Sequence, residues 1–203
     1  MIFGLLAKKP KLVLASSSPR RAEILRGAGL KFEVHAAHVD ESLRPREAAR
    51  SYVARLANAK ARHVAEKLKR KGARAIVIGA DTGVIAAGKI LGKPSDVRDA
   101  RRMLRTLSGR THAVLTGISL IEVPGGAESH HVEATKVRFA KLSAKEIDDY
   151  IATGEPFGKA GAYAIQGIAG RYITRLDGCY FNVVGLPLSA LWEMLRRIGW
   201  DHR

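Results

Sequence analysis

The chain has a single cysteine, Cys179, in 203 residues. One thiol closes no intramolecular disulfide and builds no cysteine-based zinc site. It is compatible with a reducing compartment, and a cytoplasmic protein is expected. No apolar run approaches the ~20 residues that a membrane-crossing helix needs. The apolar start, Met1 to Ala7, is too short for the core of a secretion signal and has no basic stretch before it. Several catalytic signatures are also missing. There is no G-x-x-x-x-G-K-[ST] phosphate loop, no G-x-G-x-x-G dinucleotide turn and no G-x-S-x-G elbow. No helix carries His-x-x-x-His. Aromatics make up 6% of the chain, and no aromatic nucleic-acid-binding motif occurs.

Acid is scarce as well. Against 35 Lys and Arg stand 19 Asp and Glu, a formal net charge of +16. Such a balance favours polyanionic partners without choosing among nucleotides, nucleic acid and anionic membrane surfaces. Arg98, Arg101, Arg102 and Arg105 share a helical segment, and a solvated face is the plain reading of that run. Hydrophobic content of 46% excludes global disorder and suits one domain over residues 1–203, in two lobes.

The most specific local feature is Leu14-Ala15-Ser16-Ser17-Ser18-Pro19-Arg20-Arg21. A short strand from Lys11 feeds a serine turn, and Pro19 opens a helix, where its fixed φ is favourable. Free N–H groups, hydroxyls and the positive end of a helix dipole make such a turn a candidate phosphate cradle. Two adjacent guanidinium groups add forked donors that match phosphate oxygens. An ordinary N-cap with solvated arginines is the competing reading.

Periodicity predicts an α/β order. Helices are expected at Pro19 to Gly29, Arg46 to Lys71, Asp96 to Leu107, Ser143 to Ala152 and Leu188 to Ile198. Strands are expected at Phe32 to Ala37 and Ala75 to Gly79. A hairpin is expected over Gly83 to Leu91, and a second joins His112 to Val123 with His131 to Phe139. Residues 157 to 187 read as glycine-rich loop and strand, with Asn182 to Pro187 a structural turn.

Asp81 follows a continuous apolar run, a place where α/β sheets display ligand-binding groups. A carboxylate there can hold a divalent ion or activate water; a turn aspartate is the competing reading. Asp40 and Glu41 lie in a polar loop, as metal ligands, bases or plain loop acids. Lys60 stands among apolar helix positions, reaching a phosphate or snorkelling. Lys93 occupies a tight turn. Lys159 to Gly167 is a glycine-punctuated loop, and its Gln166 suits a base edge.

Together these segments resemble one family. LASSSPRR, VDES, GADT with ILGKP downstream, LSGRTHAVLTG, KAGAYAIQG and NVVGLP occur in the order found in the Maf nucleoside triphosphate pyrophosphatases, from about Leu12 to Leu195. The resemblance implies a mixed α/β fold like that of the inosine triphosphate pyrophosphatases, an elongated sheet with a deep cleft between two lobes. It implies hydrolysis between the α and β phosphates, a divalent ion (Mg²⁺, Mn²⁺ or Co²⁺) and a homodimer. Asp81 matches the catalytic aspartate. Ser16, Arg20, Arg21, Glu41, Lys60 and Lys93 match substrate-side positions, with Asp81 and Glu41 as metal-side acids. Arg20, Thr82 and Gln166 follow the pattern of members acting on dTTP and UTP. Members acting on 7-methyl-GTP differ after the aspartate and carry a Ser-Glu-Gly type segment where this chain has Ile165-Gln166-Gly167. Gly83 and Gly158 depart from the family pattern. The alternatives are a 7-methyl-GTP pyrophosphatase, or a basic nucleic-acid-binding or septum-regulating protein, the latter without a supporting motif.

Overall fold

In the computed structural model, residues 10–200 are described. The apolar Met1–Ala7 segment lies outside them. The elements run β1 (Lys11–Ala15), α1 (Pro19–Gly27), β2 (Phe32–Val34), α2 (Ala49–Arg70), β3 (Ala75–Ala86), β4 (Lys89–Leu91), α3 (Val97–Leu107), β5 (Thr111–Val123), β6 (Glu128–Phe139), α4 (Ala144–Ala152), β7 (Ile173–Asp177), α5 (Tyr180–Val184) and α6 (Leu188–Arg197). Short 3-10 turns occupy Ala160–Ala162 and Ile168–Tyr172. This is the expected mixed α/β class.

One seven-stranded sheet has the order β2-β1-β3-β5-β6-β7, with β4 also paired to β3. β1 runs parallel to both β2 and β3, and the remaining pairs are antiparallel. The expected strand from Ala75 and the first arm of the expected hairpin are one continuous element. Asp81 therefore sits inside β3 and not beyond its end. The cause is β5, whose ladder holds β3 without interruption from Ala75 opposite Val123 to Ile85 opposite Ala113.

The other edge of β3 is interrupted. β1 pairs with it only up to Gly79, and β4 takes over only at Val84. Between them Ala80 to Gly83 has no strand on that side. β1 turns away there into Ser16-Ser17-Ser18, and the sheet opens at its centre.

Strand alternation sends Asp81 to one face and Thr82 to the other. The Asp81 face is covered by α2, which buries Val53, Leu56, Ala57, Lys60, Ala61, Val64, Ala65 and Leu68. The Thr82 face is covered by α1 and α6, packed through Leu25, Leu191 and Leu195 on Leu12, Leu14, Ile76 and Ile78. A further core gathers α3, α4 and the 160–172 segment around Phe139 and Tyr150. No helix among the described residues is long and apolar enough to cross a membrane.

Two strand glycines set how closely α2 approaches. A β-carbon at Gly79 would collide with the Ala57 carbonyl oxygen, and one at Gly117 with that of Val53. Gly83 is different: a β-carbon there would meet Val53 Cγ1 at 3.4 Å, an ordinary contact. Since the obstacle at Gly117 is backbone, Gly117→Ala is expected to destabilise by about 3 kcal/mol, the upper end of overpacking costs. Gly27→Ala, with nothing within 4 Å of the added carbon, is expected to be neutral or stabilising. Urea unfolding of the two variants checks the contrast, and equal midpoints would remove the close-approach argument.

Candidate active site

The gap in the sheet opens into a cavity of about 630 Å³. Ser16, Arg20, Arg21, Glu41, Lys60, Asp81, Thr82, Lys93 and Gln166 all line it. The structure thus brings together these nine candidate residues. Asp40 stays outside, its carboxylate accepting from the Ser42 N–H and hydroxyl.

Arg21 organises one wall. Its side chain is buried and each nitrogen of its fork donates to protein: Nε to Gly185 O at 2.8 Å, Nη1 to Ser16 Oγ at 3.0 Å and Nη2 to Thr82 Oγ1 at 3.0 Å. Burial lowers its pKa from the usual arginine value. Ser16 Oγ also accepts from the Ser18 N–H at 3.2 Å. With both lone pairs engaged, the hydroxyl has its proton left to donate. Thr116 donates to Asn182 O at 3.0 Å, so the 2.9 Å contact between Thr82 and Thr116 runs from Thr82 to Thr116. Asn182 is fully buried and donates to Val114 O and Thr135 Oγ1. Of the segment read as a structural turn, Asn182 to Val184 ends the short helix α5 and Gly185 to Pro187 forms the turn after it; Asn182 anchors a chain running from Arg21 through Thr82 and Thr116.

Lys60 organises the opposite wall. Nζ lies 2.6 Å from Asp81 Oδ1 and 2.6 Å from Glu41 Oε1, with the lysine side chain 9% exposed. Lys93, on the β4 turn, approaches Glu41 Oε2 at 3.6 Å. Burial pushes the Glu41 carboxyl up, but the hydrogen bonds and charges of Lys60 and Lys93 more than offset it and its pKa falls below the usual glutamate value. Glu41 sits on a loop strapped to α2. Tyr52 donates its hydroxyl to Glu41 O, and Arg55 donates to Ser42 O. Arg55 also forks onto Glu47 at 2.6 and 2.7 Å, holding that carboxyl down at about 2.

Sequence reading missed three cavity residues. Lys159, half-buried beside the cavity, has its pKa lowered first by burial and then by the charge of Arg20. Neither Lys159 nor Arg20 makes a direct ion pair among the described residues; Glu155 and Glu23 act on them only through space, and both cations face the cavity. Tyr52 repeats at helical spacing like any packing residue. Tyr163 is positioned from beneath: its hydroxyl lies 2.8 Å from His112 Nε2, and both rings stack edge-on with Phe139. Nothing local in the sequence pairs residues 112 and 163.

The lining carries Arg20, Arg21, Lys60, Lys93 and Lys159 against two carboxylates, Glu41 and Asp81. No group of three or more His, Cys, Asp or Glu placed to share a metal ion occurs among the described residues. Two carboxylates suit a hard ion whose remaining positions are filled by phosphate oxygens and water, as Mg²⁺ is commonly held.

A cation-lined cleft at an opened sheet centre, with an acid pair held by one lysine, defines a phosphate-handling α/β protein. The family model described as Maf-like protein matches residues 11–198, and the chain belongs to the Maf family. It is 50% identical over 198 residues to the dTTP/UTP pyrophosphatase of Anaeromyxobacter sp. (strain Fw109-5), covering 94% of this chain and 93% of that one. It is 48% identical to the dTTP/UTP pyrophosphatase of Geobacillus sp. (strain WCH70), covering 94% and 99%. Among solved structures, the Ham1 protein of Staphylococcus aureus aligns with a TM-score of 0.47 at 13% identity, covering 92% of this chain and 98% of that one.

Burial pushes His112 down to about 4, from an ordinary value of about 6.5. The folded protein therefore holds this ring neutral while the unfolded chain protonates it. The stabilising contribution is present above pH ~6.5 and is lost as pH falls towards 4, on the order of 3 kcal/mol in all. Urea unfolding of wild type and His112→Gln from pH 7.5 to 4.5 should show a steeper loss in wild type. Parallel curves would show that the ring does not titrate in this way.

Proposed function

We propose that the chain hydrolyses dTTP, UTP and modified pyrimidine nucleoside triphosphates to the monophosphate and pyrophosphate. The observation that carries this reading is the convergence of Ser16, Arg20, Lys60, Asp81, Lys93 and Gln166 on one cleft. The two relatives named above, both called dTTP/UTP pyrophosphatases, support it at about half identity over nearly the whole chain. A single free cysteine suits a cytoplasmic setting for such an enzyme.

The residues divide the work. Ser16, Arg20, Lys93 and Lys159 bind the phosphate chain through charge and hydrogen bonds. Arg21 acts behind them as a positioning residue, aiming Ser16 and Thr82. Asp81 is the proton acceptor. Lys60 holds its Oδ1, and Oδ2 has no protein partner among the described residues, which leaves it to accept a proton from water. The water oxygen bonds to the α-phosphorus, the bridging P–O bond to the β-phosphate breaks, and pyrophosphate leaves. Asp81 and Glu41 would hold a Mg²⁺, Mn²⁺ or Co²⁺ ion, which would supply charge neutralisation at the phosphates. Gln166 offers a neutral donor and acceptor to a thymine or uracil edge, whereas a cationic 7-methylguanine would prefer a carboxylate.

Asp81→Asn is expected to cut pyrophosphate release from dTTP at least ~100-fold, the scale of a lost general base, while leaving nucleotide binding largely intact. Turnover near wild type would remove Asp81 from the mechanism. Gln166→Glu is expected to shift the ratio of kcat/KM for dTTP over 7-methyl-GTP towards the latter by about tenfold or more. An unchanged ratio would show that Gln166 does not read the base.

A further inference from the structure

A second concave surface lies outside the cleft and shares none of its lining. Helix α3 buries Ala100, Met103, Leu104 and Leu107 and turns Arg98, Arg101, Arg102 and Arg105 outward. Arg110, from the turn before β5, joins them across an open depression of about 880 Å³ whose one acidic lining residue is Asp148 of α4. Asp148 pairs with Arg101 at 2.7 Å, and Asp99 pairs with Arg102 at 2.6 Å. Arg98, Arg105 and Arg110 are exposed and have no carboxylate partner among the described residues.

The arginines are solvated, as the sequence run implies, but their gathering with Arg110 into one hollow comes only from the fold. Like charges at helical i,i+4 spacing oppose the helix, so the cluster gains nothing for stability. The two acids present orient Arg101 and Arg102 without neutralising the groove. Apart from Asp148 the lining is arginine and threonine, with no apolar residue, which does not suit an apolar ligand or a partner helix. Guanidinium planes bond phosphate oxygens through their edges and stack on exposed bases through their faces. Arg98 to Arg105 spans about 10.5 Å of helix, enough to face successive phosphates of one strand. We propose that this groove binds single-stranded nucleic acid through its phosphate backbone, without sequence preference and independently of the cleft.

The test is fluorescence anisotropy of a labelled mixed-sequence 12-nucleotide single strand across a salt series. Wild type is compared with Arg98→Gln/Arg105→Gln/Arg110→Gln and with a control of equal charge change on α2, Lys67→Gln/Lys69→Gln/Arg70→Gln. The groove variant is expected to bind at least about tenfold more weakly, with the slope of log K against log salt smaller by about 2, while the control binds like wild type. The groove variant should still release pyrophosphate from dTTP at the wild-type rate, which certifies its fold. Equal weakening in both variants would reduce the effect to net charge and overturn the proposal. So would no binding by wild type, displacement by excess dTTP, or tighter capture of an acidic peptide of equal charge.

Discussion

The cleft depends on one interruption: the missing strand beside Ala80 to Gly83. A fully paired β3 would bury both of its faces under helices and leave Asp81 and Thr82 as core residues. With β1 turned away, groups on opposite faces of a single strand reach one cavity. Asp81 is engaged from the α2 side by Lys60, and Thr82 from the α1 side by Arg21. The two walls are separate hydrogen-bond systems that meet only at this opening. The long β5 ladder makes the interruption tolerable, because β3 stays fixed along its other edge.

The two basic residues in the walls do different physical jobs. Arg21 donates to three protein acceptors, and its rigid fork matches oxygens contributed by a turn, a strand and a helix end. Lys60 is a compact charge between two carboxylates. Exchanging the two residue types would lose the fork in one wall and crowd the acid pair in the other.

Much of this was legible in the sequence where the signal is local. The serine turn before Pro19, the apolar run ending near Asp81 and the glycine-punctuated segment at 159–167 each announce themselves within ten residues. Five helices fell near where 3.6-residue periodicity placed them, although α2 begins at Ala49, after Arg46 takes a positive φ of 58°; the short α5 was read as loop and turn. The continuity of β3 was hidden because Asp81, Thr82 and Gly83 look like a turn, and only the distant β5 holds them extended. The contact of Lys60 with Asp81 spans 21 residues, that of His112 with Tyr163 spans 51, and that of Arg21 with Gly185 spans 164. None leaves a periodic trace, so Asn182 read as a turn residue and Tyr163 was not singled out from its loop.

The bare backbone at Gly79 and Gly117 has a consequence for how this fold tolerates change. These glycines set the height of α2 above the sheet, and Lys60 projects from that helix towards Asp81 on the same strand as Gly79. The reach of the lysine is thus gauged by contacts that contain no functional group. A β-carbon at either position would lift the ammonium away from its carboxylates. Positions that look like anonymous core are in this sense part of the calibration of the chemistry, and drift there is constrained by the length of one side chain.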